Sequence, residues 1–130
     1  MRILVGYDGS KVASDAIKLA RKHAMAFAAK IELVASMDSG TNNNVQKIRA
    51  AEKNLEYAQG LFKKDTISCE THLLIRGLSP GEDLVQFAKE NNIDQIIIGV
   101  RRRSKVGKIL LGSTAQYVIL NAPCPVLTVK

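Results

Sequence analysis

Along this chain, short runs of β-branched and other apolar residues alternate with longer stretches whose apolar positions recur every three or four residues, the two periods that mark strand and helix. Ile3 to Val5 reads as a first strand, running into the turn residues Gly6-Tyr7-Asp8-Gly9-Ser10. A helix is predicted from about Lys11 to Ala28, with Ala13, Ala16, Ile17, Ala20, Ala24 and Phe27 on its inner face. Ile31 to Ala35 is a second strand, and the polar stretch 39–44 after it is a loop by composition. In the next helix Val45, Ile48, Ala51, Leu55, Ala58 and Phe62 make one stripe, with Lys47, Arg49, Lys53 and Glu56 between them expected to face water.

Cys69 to Ile75 is a third strand, broken by Arg76-Gly77-Leu78. Ser79, Pro80 and Glu82 then hold the N-cap, first and third positions of a helix that carries Leu84, Val85 and Ala88 inward and ends near Asn91-Asn92. Asp94 to Gly99 is a fourth strand, with a sharp turn expected at Gly99. Ser113, with Gln116 at capping-box spacing, predicts a helix through about Leu120, and Pro125 to Val129 is a last strand. Strands alternating with helices make this an α/β chain with a mostly parallel sheet covered on both faces.

Composition adds that 46% hydrophobic and 24% charged residues over 130 positions suffice for one packed domain, expected to span 1–130. No run approaches the length of a membrane span and the first residues form a strand without a leader pattern, so the expected location is cytoplasmic. Cys69 and Cys124 share no metal-ligand or redox spacing and form no local cluster with His23 or His72, which reads as free core thiols and no metal site.

Net charge is +7, and its placement matters more than its size. Residues 95–130 hold six of the 19 basic side chains and none of the 12 acidic ones, leaving 13 against 12 in residues 1–94. Arg101, Arg102, Arg103, Lys105 and Lys108 lie between Gly99 and Gly112, just ahead of a helix start. Cations around glycines at a helix N-terminus suit a small polyanion held at one point. Binding of nucleic acid by the same arginines is disfavoured, because the segment contains no aromatic residue on which a base could stack.

Familiar phosphate sites do not fit. The P-loop pattern ends at Gly107-Lys108 but has Arg102 for its first glycine and Ile109 for its hydroxyl residue. No G-x-G-x-x-G follows the first strand, and a receiver's acceptor aspartate is replaced by Ile75-Arg76-Gly77. Ser113 has no recognisable base nearby, so efficient turnover has no support.

The segment from Gly99 to Ser113 resembles the carboxyl-terminal signature of the universal stress protein family: glycine, two residues, a second glycine, nine residues, then Gly-Ser or Gly-Thr. Here the spacer is Arg103 to Leu111 and the closing pair is Gly112-Ser113, while Arg102 stands where the second glycine would be. The resemblance runs from VGYDGS near the start to APCPVLTV at the end. It implies a Rossmann-like sheet of the adenine nucleotide alpha hydrolase-like type, in the order 3-2-1-4-5. It also implies ATP, with magnesium or manganese as an accompanying ion, and a homodimer paired through Pro125 to Val129. Asp8 would lie against the nucleoside, and the main chain at Ser36 against adenine. Gly99, Gly112, Ser113 and Thr114 would hold phosphates and ribose, with Arg101 and Arg102 neutralising charge. The implied role is a stress-response sensing or regulatory module. Its alternative is a nucleotide-free dimeric interaction protein in which Arg102 fills the site. Asp8 also suits a plain turn cap through Ser10.

Overall fold

The computed structural model describes residues 1–37, 45–100 and 111–130. The expected 39–44 loop and the basic residues Arg101, Arg102, Arg103, Lys105 and Lys108 lie outside the described residues. In chain order the elements are β1 (Arg2–Gly6), α1 (Lys11–Phe27), β2 (Lys30–Ser36), α2 (Val45–Lys64), β3 (Cys69–Leu74), α3 (Pro80–Glu90), β4 (Gln95–Gly99), α4 (Ser113–Asn121) and β5 (Val126–Val129). The boundaries expected at Ala28, Ile75, Asp94 and Pro125 each move inward by one residue, because element ends are set by caps and ladder bonds more than by apolarity. Ala28, for example, adopts φ 52° and ends α1 as a left-handed C-cap.

All pairings are parallel and the strand order is β3-β2-β1-β4-β5. Strand alternation sorts the core into two layers. Ile3, Val5, Ile31, Leu33 and Ile97 pack under α1 and α2, against Ala16, Ala20, Leu55 and Phe62. Leu4, Val34, Ile96 and Ile98 pack under α3 and α4, against Leu84, Val85, Phe87 and Val118. Each fully buried Leu, Ile or Val contributes about 1.5 to 3 kcal/mol, so the isoleucine run 96–98, which supplies both layers, is a principal source of stability.

Two expectations about helix faces change. Phe27, the last residue of α1, is 58% exposed and sets its ring edge-on to His23, 5.9 Å between centroids. Val45 is 62% exposed and the buried stripe of α2 is Leu55, Ala58 and Phe62, so the first turns of that helix project past the core.

The glycine at the end of β4 also serves differently than expected. Gly99 remains within β4, paired with Val129, and Val100 continues the ladder by donating to the Val129 carbonyl, so the chain makes no turn at Gly99. A Cβ there would come within 2.9 Å of the backbone of Val12, which shows why only glycine fits: α1 crosses the strand end at contact distance.

Candidate functional site

The order β3-β2-β1-β4-β5 changes direction between β1 and β4, and in open parallel sheets the carboxyl ends of two such strands leave a crevice between the loops that diverge from them. Here that crevice has a volume of about 570 Å³. Six residues singled out from the sequence line it: Asp8, Ser36, Gly99, Gly112, Ser113 and Thr114. The other two, Arg101 and Arg102, lie outside the described residues.

The β1 side is built by local turn chemistry. Gly9 has φ +80°, a left-handed conformation that reverses the chain directly into α1. Asp8 Oδ1 accepts from the Ser10 amide at 3.0 Å, and Ser10 Oγ accepts from the Ala13 amide at 3.2 Å as N-cap of α1. The turn-cap role of Asp8 is therefore present, and the same residue faces the crevice.

The α4 side departs from expectation. Gly112, not Ser113, is the N-cap, at φ −65° and ψ 162°, and it makes no side-chain cap bond. The capping box is not formed: Gln116 Nε2 donates to the Leu111 carbonyl at 2.9 Å, and Ser113 is the first helical residue. Gly112 has no side chain with which to cap the first amides of α4, whose first residues line the crevice, whereas Ser10 and Ser79 cap α1 and α3. Among the described residues, a Cβ at Gly112 would meet nothing within 4 Å.

The β2 side is apolar, made by Val34, Ala35 and Met37 with Ala50 and Ala51 of α2 across from them. Lys47 and Asn54, from the same overhanging part of α2, also line the crevice. Sequence reasoning missed both. Lys47 lay between apolar-stripe positions, and nothing in the helical period says that the first turns of α2 extend beyond the sheet edge. Ser36 Oγ donates to Asp83 Oδ2 at 2.5 Å, and Asp83 is completely buried. Arg76 Nε reaches Asp83 Oδ1 at 2.9 Å, and Arg76 also contacts Glu90 at 3.3 Å. Burial alone would lower the Arg76 pKa, but hydrogen bonds to Asp83 and Glu90 more than reverse this and hold it above its ordinary value.

A second polar group lies away from the crevice. Glu32, 1% exposed, bonds Arg2 at 2.9 Å and His72 at 2.7 Å, with Lys30 at 3.4 Å. Glu32, Glu70 and His72 bring candidate metal-ligand atoms within 4.8 Å of one another. Arg2 and Lys30 already neutralise the carboxylates: the Lys30 hydrogen bond lowers the Glu70 pKa, and that bond raises the Lys30 pKa. Cys69 is buried in the α1/α2 layer and burial pushes its thiol up to about 12, while Cys124, half-buried, is raised by the same cause.

A five-stranded parallel domain with a ligand-sized crevice at its switch point is an α/β binding domain of the Rossmann-like class. The family model for the Universal stress protein family matches residues 1–130, and the chain belongs to that family. It is 32% identical over 134 residues to a universal stress protein of Thermus aquaticus, covering 98% of this chain and 97% of that protein. A universal stress protein structure from Archaeoglobus fulgidus superposes with a TM-score of 0.89 at 33% identity, covering 100% of this chain and 93% of that one. Another, from Archaeoglobus fulgidus in complex with dAMP, superposes with a TM-score of 0.86 at 32% identity, covering 100% and 98%.

Proposed function

We propose that this chain binds an adenine nucleotide in the switch-point crevice, ATP being the form its charge suits best, and that it acts as a sensing or regulatory module. The observation that carries the reading is the pairing, in one cavity, of an apolar wall with the start of α4, whose N-cap is a glycine. An apolar slot takes a base, and helix amides take phosphate. The sequence between Gly99 and Gly112 carries five basic residues and no acidic one, a composition that suits a polyanionic ligand. The similar Archaeoglobus fulgidus protein in complex with dAMP supports an adenine nucleotide as the ligand class.

In this arrangement Gly112, Ser113 and Thr114 hold phosphates and ribose by amide and hydroxyl, Gly99 lets α1 close over the strand end, and Asp8 accepts from the nucleoside. Among the described residues nothing lies within 4 Å of where a Gly112 Cβ would be, which leaves room for a phosphate. Asp8 is the one carboxylate among the described residues lining the crevice, so a magnesium or manganese ion would be held chiefly by phosphate oxygens. Among the described residues no helix is long and apolar enough to cross a membrane. A cytoplasmic site of action and a homodimer formed through β5, an edge strand of the sheet, belong to the same proposal.

The test is mass spectrometry of nucleotide released from purified, denatured protein, followed by calorimetry with ATP, ADP and AMP. Retained or titratable adenine nucleotide is expected. Absence of binding at millimolar nucleotide would overturn the reading in favour of a nucleotide-free dimeric interaction protein. That alternative has its own motivation, the arginine at position 102 where the family signature has glycine.

A further inference from the structure

We propose that Ser36 reads the base, held by the buried Asp83 as a hydrogen-bond acceptor that selects a 6-amino over a 6-oxo purine. This rests on the binding reading above and extends it to specificity. The ends of the crevice are chemically unlike. The α4 amides mark the phosphate end, and β2 lies on the opposite side of β1 from β4, so the apolar wall of Val34, Ala35 and Met37 marks the base end. Ser36 is the hydroxyl in that wall.

A serine hydroxyl has one proton and two lone pairs, and it ordinarily rotates to suit either a donor or an acceptor. Here it cannot. Its proton is committed to Asp83 Oδ2 at 2.5 Å, within the range of charge-assisted O–H···O⁻ bonds. The carboxylate is itself pinned: it is 0% exposed, and its other oxygen accepts from Arg76 Nε at 2.9 Å. Ser36 Oγ therefore has only lone pairs to offer a ligand, and donation to an anion makes them better acceptors. The adjacent Met37 amide is engaged, donating to the Leu74 carbonyl at 2.9 Å, so it offers no donor that would suit a ring carbonyl. An exocyclic amine satisfies the Ser36 oxygen, whereas a 6-oxo group would set two acceptors against each other and leave both without a donor. Asp83 is a positioning residue, acting on the ligand through Ser36.

The experiment is calorimetry of ATP and ITP binding to the full chain and to Ser36→Ala, Ser36→Thr and Asp83→Asn. The parent should prefer ATP by about tenfold or more. Ser36→Ala should reduce that preference to about threefold or less by weakening ATP, and Ser36→Thr, which keeps the hydroxyl, should restore it. Asp83→Asn offers an amide donor to Ser36, frees the hydroxyl proton and should shift preference toward ITP. Ser36→Ala alone decides the matter if loss of the Arg76 pair prevents the Asp83 variant from folding. A purely structural tie between β2 and α3 would change melting temperature but not the ATP to ITP ratio. An unchanged ratio in Ser36→Ala, with ATP still bound, overturns this inference and leaves nucleotide binding standing. Failure of the parent to bind either nucleotide overturns both.

Discussion

Gly99 and Gly112 look equivalent in the sequence, as the first and last glycines of one motif, yet their surroundings predict opposite phenotypes. Replacing Gly99 by Ala places a Cβ 2.9 Å from the carbonyl carbon, carbonyl oxygen and Cβ of Val12. Two of those are backbone atoms in the first turn of α1, so no side-chain rotation relieves the clash, and the helix start must move. Overpacking of this kind costs about 1 to 3 kcal/mol. The reduced freedom of the unfolded chain returns roughly 0.4 to 1 kcal/mol, and the central values leave a net loss of roughly 1 kcal/mol or a little more. For a chain of this size that is a fall in Tm of roughly 4 to 8 °C. Replacing Gly112 by Val meets nothing within 4 Å among the described residues, and its φ of −65° suits any residue, so stability should change by less than about 0.5 kcal/mol. The valine would instead occupy the space proposed for phosphate, and ATP affinity should fall tenfold or more, about 1.4 kcal/mol. Thermal melts and ATP calorimetry on the parent and both variants test the pair. A Gly99→Ala protein with unchanged Tm refutes the close-approach argument, and a Gly112→Val protein that binds ATP like the parent removes Gly112 from the site.

The remaining predictions concern assembly, thiols and the segment at 101–108. Leu127 packs partly against the core, so Thr128 is the better probe of the β5 edge: Pro125 and Val129 use their carbonyls toward β4, so the alternate Thr128 points its amide outward. Thr128→Pro should convert a dimer to a monomer in light scattering without unfolding it, and a parent that is already monomeric at micromolar concentration would contradict pairing through β5. Because burial pushes Cys69 to about 12, its native thiolate fraction at pH 8 is of order one in ten thousand. Alkylation at pH 8 should therefore label half-buried Cys124 first and Cys69 only in denaturant, an order that equal native rates would disprove. Arg102→Ala should weaken ATP by about 1.5 to 3 kcal/mol and adenosine hardly at all, with parent affinity falling as salt is added. Tighter ATP binding by that variant would mean the arginine fills the site.

Among the described residues, apolar periodicity together with capping and turn residues was enough to place the five strands and four helices, because each element must bury one face and its signals are written locally. The Ser79-Pro80-Glu82 helix start was equally legible, since capping involves residues only three apart. The order β3-β2-β1-β4-β5 came from family resemblance and could not come from periodicity, which has no information about which strands pair. With that order, Asp8, Ser36, Gly99 and Gly112 come from four separate chain segments to one crevice. What only the tertiary structure decided are relations between elements distant in sequence. Gly99 is glycine because of Val12, Lys47 lines the crevice because α2 overhangs the sheet, and Ser36 is fixed as an acceptor by Asp83, 47 positions away. None of these contacts has a repeat or a spacing in the sequence, because each is made by packing one finished element on another.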